Sequence, residues 1–118
     1  MGAQRPRGRT VSTFSLRTAA AALAKLSVNT TIADYQLRPR YKYNAALINY
    51  EAHTPAVVAV PMGDGFIDYG AFLGSSLENG FDGTVTYEMC SPLLDGGSAE
   101  TLERYAKRFL EWVAPYRK

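Results

Sequence analysis

The stretch Gly80-Phe81-Asp82-Gly83-Thr84-Val85-Thr86-Tyr87-Glu88-Met89 decides how the chain is read. Asp82-Gly83 is a turn pair. From Thr84 the residues alternate. Val85, Tyr87 and Met89 share one face, and Thr84, Thr86 and Glu88 share the other. That period of two predicts a strand over Thr84 to Met89. Its apolar face is the one that helices cover. Its polar face ends in a carboxylate. At the carboxyl end of a parallel strand, a carboxylate stands where α/β enzymes place their chemistry. The plainer alternative is an edge strand with Glu88 in solvent.

Working outward, Pro92 and Gly96-Gly97 mark a loop, and Ser98 then caps a helix. Leu102, Tyr105, Ala106, Phe109, Leu110 and Val113 recur at helical spacing until Pro115 stops the run. Upstream, Asp68 caps a helix predicted over 69 to 79, with Tyr69, Phe72, Leu73 and Leu77 on one face. Gly80 closes it as a C′ glycine, and Phe81 supplies the apolar contact of such a cap. Gly63-Asp64-Gly65 is a turn. Ala56 to Val60 is a short apolar run that reads as a further strand or as an extended approach to Pro61. Leu26 to Ala33 alternates as a second strand, with Asp34 after its carboxyl end. Tyr35 to Pro55 shows no clear period and reads as a long loop rich in Tyr, Asn and Arg. Thr13 to Lys25 is alanine-rich and predicts a helix. Residues 1 to 12 are expected to be a disordered basic leader, and 13 to 118 the folded domain. The order of strand, loop, helix, strand, loop and helix is the grammar of a parallel α/β sheet.

Composition narrows the class. The 118 residues are 47% hydrophobic and 12% aromatic, enough for one small core. No run approaches the ~20 apolar residues of a membrane span. The single cysteine, Cys90, excludes an intrachain disulfide and fits a reducing, cytoplasmic setting. His53 is the lone histidine, so a multi-histidine metal cage is excluded. Residues 1 to 33 hold five basic side chains and no acid, while the rest hold eight basic and eleven acidic. The folded part is therefore mildly acidic, which disfavours nucleic acid as a partner. The Arg- and Ser-containing start also has the composition of a transit peptide, a minor alternative to cytoplasmic location.

Met62-Gly63-Asp64-Gly65-Phe66-Ile67-Asp68-Tyr69, followed by Gly80-Phe81-Asp82-Gly83 and the strand ending at Glu88, resembles the C-terminal part of the sugar phosphate isomerase/epimerase family, the xylose isomerase-like TIM barrels. The resemblance implies the last two βα units of a (β/α)8 barrel, an incomplete barrel. It implies proton transfer beside a carbonyl of a sugar or sugar derivative. It implies a divalent metal, Mn²⁺, Mg²⁺, Zn²⁺ or Co²⁺, with Glu88 as both catalytic carboxylate and ligand. Asn29 would be a weak second oxygen ligand, and Thr31 stands where many members carry a histidine. Asp34 keeps the family's terminal aspartate and falls in the substrate-binding set. Arg38 and Arg40, in the loop that follows, could clamp a phosphate or a sugar carboxylate. With only part of the family's ligand set, the chain is expected to be a truncated, catalytically incomplete copy. The alternative is a non-catalytic binding module. Its exposed sheet edge and apolar helix faces would be covered by self-association or by another chain, such as the missing barrel half.

Overall fold

The structure is a computed structural model that describes residues 13–90 and 92–118. The expected leader at 1 to 12 lies outside the described residues. Among these residues are three α-helices, a 3₁₀ turn and two sheets of two strands each. In chain order they are α1 (Thr13–Leu23), β1 (Asn29–Ile32), β2 (Asp34–Asn44), β3 (Asn49–Val60), α2 (Tyr69–Glu78), β4 (Thr84–Tyr87) and α3 (Ala99–Val113). The fold is mixed α/β.

The expected pair of barrel units is not what forms. β1 and β4 are four residues each and pair only with one another among the described residues. The segment expected to be a loop forms β2 and most of β3, a separate antiparallel hairpin. Ala56 to Val60 is the end of β3, not an independent strand. The reason is an alternation in the supposed loop. Tyr35, Leu37, Pro39, Tyr41 and Tyr43 interleave with Gln36, Arg38, Arg40, Lys42 and Asn44. That pattern specifies an amphipathic strand, and a second one lies within hairpin reach.

The chain divides into two compact units. Of the described residues, one takes in 13–30 together with Asp68–Thr84. Here α1 packs on α2 through small residues. Ala20, Ala24, Ala71, Ser75 and Ser76 are buried with Leu73. The Ser75 hydroxyl donates to the Arg17 carbonyl at 2.9 Å, so the close approach of the helices also satisfies a polar group. Helix α2 begins and ends as its sequence dictates. The Asp68 carboxylate accepts the Ala71 N–H at 2.9 Å. At the other end Gly80 has φ +91°, its N–H reaches the Leu77 carbonyl and the Phe81 N–H reaches Ser76. This is a Schellman cap, with Phe81 buried as its apolar contact.

The other unit takes in Thr31–Ile67 and Val85–Lys118. Its core is Ile32, Val60, Met62 and Tyr105, all essentially inaccessible. Helix α3 starts at Ser98, whose hydroxyl accepts the Thr101 N–H. It lays Tyr105 against the end of β3. The Tyr105 hydroxyl donates to the carbonyls of Leu94 (2.9 Å) and Ala59 (3.3 Å). Tyr87 stacks on Phe109 with ring centroids 4.9 Å apart.

Candidate functional site

Strand β4 presents Glu88 as its alternation requires. Thr84, Thr86 and Glu88 are exposed, while Val85, Tyr87 and Met89 are partly covered. The Val28 carbonyl accepts from the Thr84 N–H at 3.1 Å, and the Ile32 carbonyl accepts from the Glu88 N–H at 3.0 Å. Both contacts advance by four residues in the same direction, so β1 and β4 run parallel. Glu88 thus leaves the carboxyl end of a parallel strand, its backbone fixed and its carboxylate open to solvent.

Asp34 has a different position. It is buried, and its carboxylate accepts three backbone N–H groups. Oδ2 takes those of Gly63 (3.0 Å) and Gly65 (2.9 Å), and Oδ1 takes that of Tyr35 (3.0 Å). A Cβ added to Gly65 would overlap the Asp34 carboxyl group and crowd the Tyr35 carbonyl. The Gly-x-Gly turn is therefore built around Asp34. Helix α3 holds the same turn from the outside. Arg108 Nε donates to the Met62 carbonyl at 3.1 Å, and its Nη2 pairs with Asp64 at 3.4 Å.

Arg38 and Arg40 share one face of the hairpin and are exposed. Arg40 is partly committed. Its Nε donates to the Thr54 carbonyl at 2.9 Å, and its Nη2 lies 3.4 Å from His53 Nδ1. The Asn29 amide oxygen accepts from the Thr84 hydroxyl at 2.7 Å and ties β1 to β4.

No family model, no curated protein and no solved structure matches this chain.

The expected site residues are thus placed with distinct tasks. Asp34 opens β2 with its carboxylate inside the 63–65 turn, Asn29 lies in a strand pair, Arg38 and Arg40 on the hairpin, and Glu88 at a strand end. Among the described residues no three of His, Cys, Asp and Glu gather into a metal-binding group. They do not make up the ligand set that the resemblance implies for a divalent metal. No helix among them is long and apolar enough to cross a membrane.

Two features of this unit escape the sequence reading. One is the grip of Tyr105 and Arg108 on the β3 end and the following turn. Their helical spacing of three was visible, but not the carbonyls they meet. The other is the hairpin itself, whose signal was the alternation from Tyr35 to Asn44.

Burial pushes the Tyr87 phenol up to about 12, with further upward pressure from Tyr105, Asp34 and Cys90. Burial also raises Tyr105. Asp95 adds to that rise and Arg104 opposes it.

Proposed function

We propose that the chain is a relative of the sugar phosphate isomerases and epimerases. In this reading Glu88 is the carboxylate that moves a proton at the carbon beside a sugar carbonyl, and the described residues form an incomplete catalytic set. The observation that carries it is the Glu88 N–H bound to the Ile32 carbonyl, which fixes an exposed carboxylate at the end of a parallel strand pair. A carboxylate held by its backbone and free at its head can reach a bound substrate's C–H and return the proton to the neighbouring carbon. Arg38 and Arg40 supply cationic forks for a phosphate or carboxylate group of the substrate. A divalent ion would need ligands beyond the described set. The lone thiol of Cys90 suits a reducing compartment such as the cytoplasm.

The test is deuterium uptake. Ketoses and their phosphates are incubated with the chain in D₂O with added Mn²⁺, Mg²⁺, Zn²⁺ or Co²⁺, and followed by NMR. Slow exchange at the carbon beside the carbonyl is expected, falling roughly 100-fold or more in Glu88→Gln. Equal rates with and without protein would overturn the reading.

A second reading is a non-catalytic module that pairs with another chain. One observation favours it. The apolar face of the β2–β3 hairpin is uncovered, with Tyr41 64% and Tyr50 66% exposed.

A further inference from the structure

The register of the hairpin sorts its side chains. Cross-strand partners lie on the same face of a sheet. Leu37 pairs with Val57, Tyr41 with Ala52, and Tyr43 with Tyr50. Between Arg38↔Ala56 and Arg40↔His53 the register shifts, so that Thr54 and Pro55 together oppose Pro39. The bulge absorbs one residue of β3 and restores the alternation beyond it. One face therefore carries Leu37, Tyr41, Tyr43, Tyr50 and Val57. The other carries Arg38, Arg40, Lys42, Glu51 and His53. The five apolar side chains are between 46% and 66% exposed.

An isolated two-stranded hairpin is marginal in water unless its apolar face is covered. The base of this face is covered at Ala59, but from Leu37 and Val57 to the tip it is left largely open among the described residues. We propose that a second copy of the chain does, the two hairpins packing apolar face to apolar face. This rests on the reading of the chain as a pairing module and is independent of Glu88.

Three features favour this occupant and this geometry. The first is area. Three large aromatic and two aliphatic side chains at these exposures offer on the order of 600 Å² per copy, about 1,200 Å² for the pair, which reaches the lower end of the range for a specific interface. The second is charge. Arg38, Arg40 and Lys42 lie on the opposite face, so a face-to-face pair points both basic rows outward. An edge-to-edge pair through two β2 strands would set the same cations side by side. The third is the edges themselves. Pro39 in β2 and the bulge at Thr54-Pro55 in β3 interrupt the donors that edge pairing needs. The faces are left as the surface that pairs. The Tyr43 and Tyr50 rings already meet edge to face at 5.4 Å, which holds both in place as a stepped aromatic surface before a partner arrives.

Sedimentation equilibrium on the full chain tests this, with far-UV circular dichroism as the fold control. A two-chain mass is expected on the order of 100 µM, falling to one chain on dilution. The double substitution Tyr41→Thr/Tyr50→Thr keeps strand propensity and should leave a folded one-chain species. Arg38→Gln/Lys42→Gln, on the other face, should still dimerise. A wild-type chain that stays monomeric at that concentration overturns the proposal whatever the variants do. So does a dimer lost in the basic-face variant and kept in the tyrosine variant. A monomeric wild type whose tyrosine face binds anionic phospholipid vesicles overturns the second copy but keeps the pairing surface. A monomer with no such binding likewise overturns the second copy, and both outcomes leave the Glu88 reading untouched.

Discussion

The buried Asp34 carboxylate and the Gly65 backbone N–H meet at 2.9 Å, and Gly65 has no room for a side chain there. With the Gly63 and Tyr35 N–H groups on the same carboxylate, this pair fixes the turn that leads out of β3. Replacing Asp34 by Ala strands three donors in a partly buried site and should cost about 3 kcal/mol of stability. Gly65→Ala should cost a similar amount by steric overlap alone. Urea denaturation of the two variants and of the pair would check this. Because both act on one turn, the double variant should lose clearly less than the total of the single losses.

Two backbone positions with positive φ make opposite predictions. Gly80, at φ +91°, closes the Schellman cap of α2. Gly80→Ala should destabilise by about 1 kcal/mol, since a Cβ is strained in that conformation. Ile48, at φ 50° in the hairpin tip, is a β-branched residue where glycine or asparagine is preferred, and its side chain is 81% exposed. Ile48→Gly should therefore remove strain without losing packing, stabilising the hairpin by up to about 1 kcal/mol. Slower amide exchange at Lys42 and Glu51, the cross-strand pair near the tip, is the measurement.

The raised tyrosine phenols predict a loss of stability in alkali. Tyr87 is lifted from 10.0 to about 12 in the folded state. Above pH 10 the unfolded chain therefore releases this proton first, and ionisation favours unfolding. The stability that the neutral phenol contributes is complete below pH 10 and is lost as pH rises toward about 12. Tyr105, raised in the same direction and bonded to the Leu94 and Ala59 carbonyls, adds to the effect. Denaturant midpoints measured between pH 9 and about 12 should fall more steeply for wild type than for Tyr87→Phe, which has no phenol to ionise.

Where local chemistry decides structure, the sequence was legible. Asp68, Gly80 and Ser98 cap as their residue types require, and the alternation from Thr84 places Glu88 on the exposed face. The alternation of β2 was equally present, but Pro39 and Pro55 masked it. A proline usually signals the end of a strand, and here each falls where a two-stranded edge and a bulge tolerate it. The larger fold was not legible for another reason. Motifs such as Gly-Phe-Asp-Gly describe turns, and a turn does not say how many strands stand beside it. The role of Asp34 was hidden in the same way. A carboxylate after a strand reads as a ligand until the amides of a turn some thirty residues away are seen on it.

That contrast makes Glu88 the informative residue to substitute. Its backbone N–H carries the strand pairing, and Gln retains the backbone and the side-chain size. The carboxylate is exposed, so its loss should change stability by less than about 0.5 kcal/mol. Asp34→Asn, by contrast, puts an amide against a cluster of N–H donors. One of the two acceptor oxygens becomes a donor, and stability should fall by more than about 1 kcal/mol. A loss of proton exchange or of sugar binding in Glu88→Gln would therefore belong to the carboxylate and not to unfolding. Chemical denaturation and sugar titration of the same two preparations would separate the effects. A marked loss of stability in Glu88→Gln would mean that the carboxylate serves the fold, as Asp34 does, and would remove its claim to the chemistry.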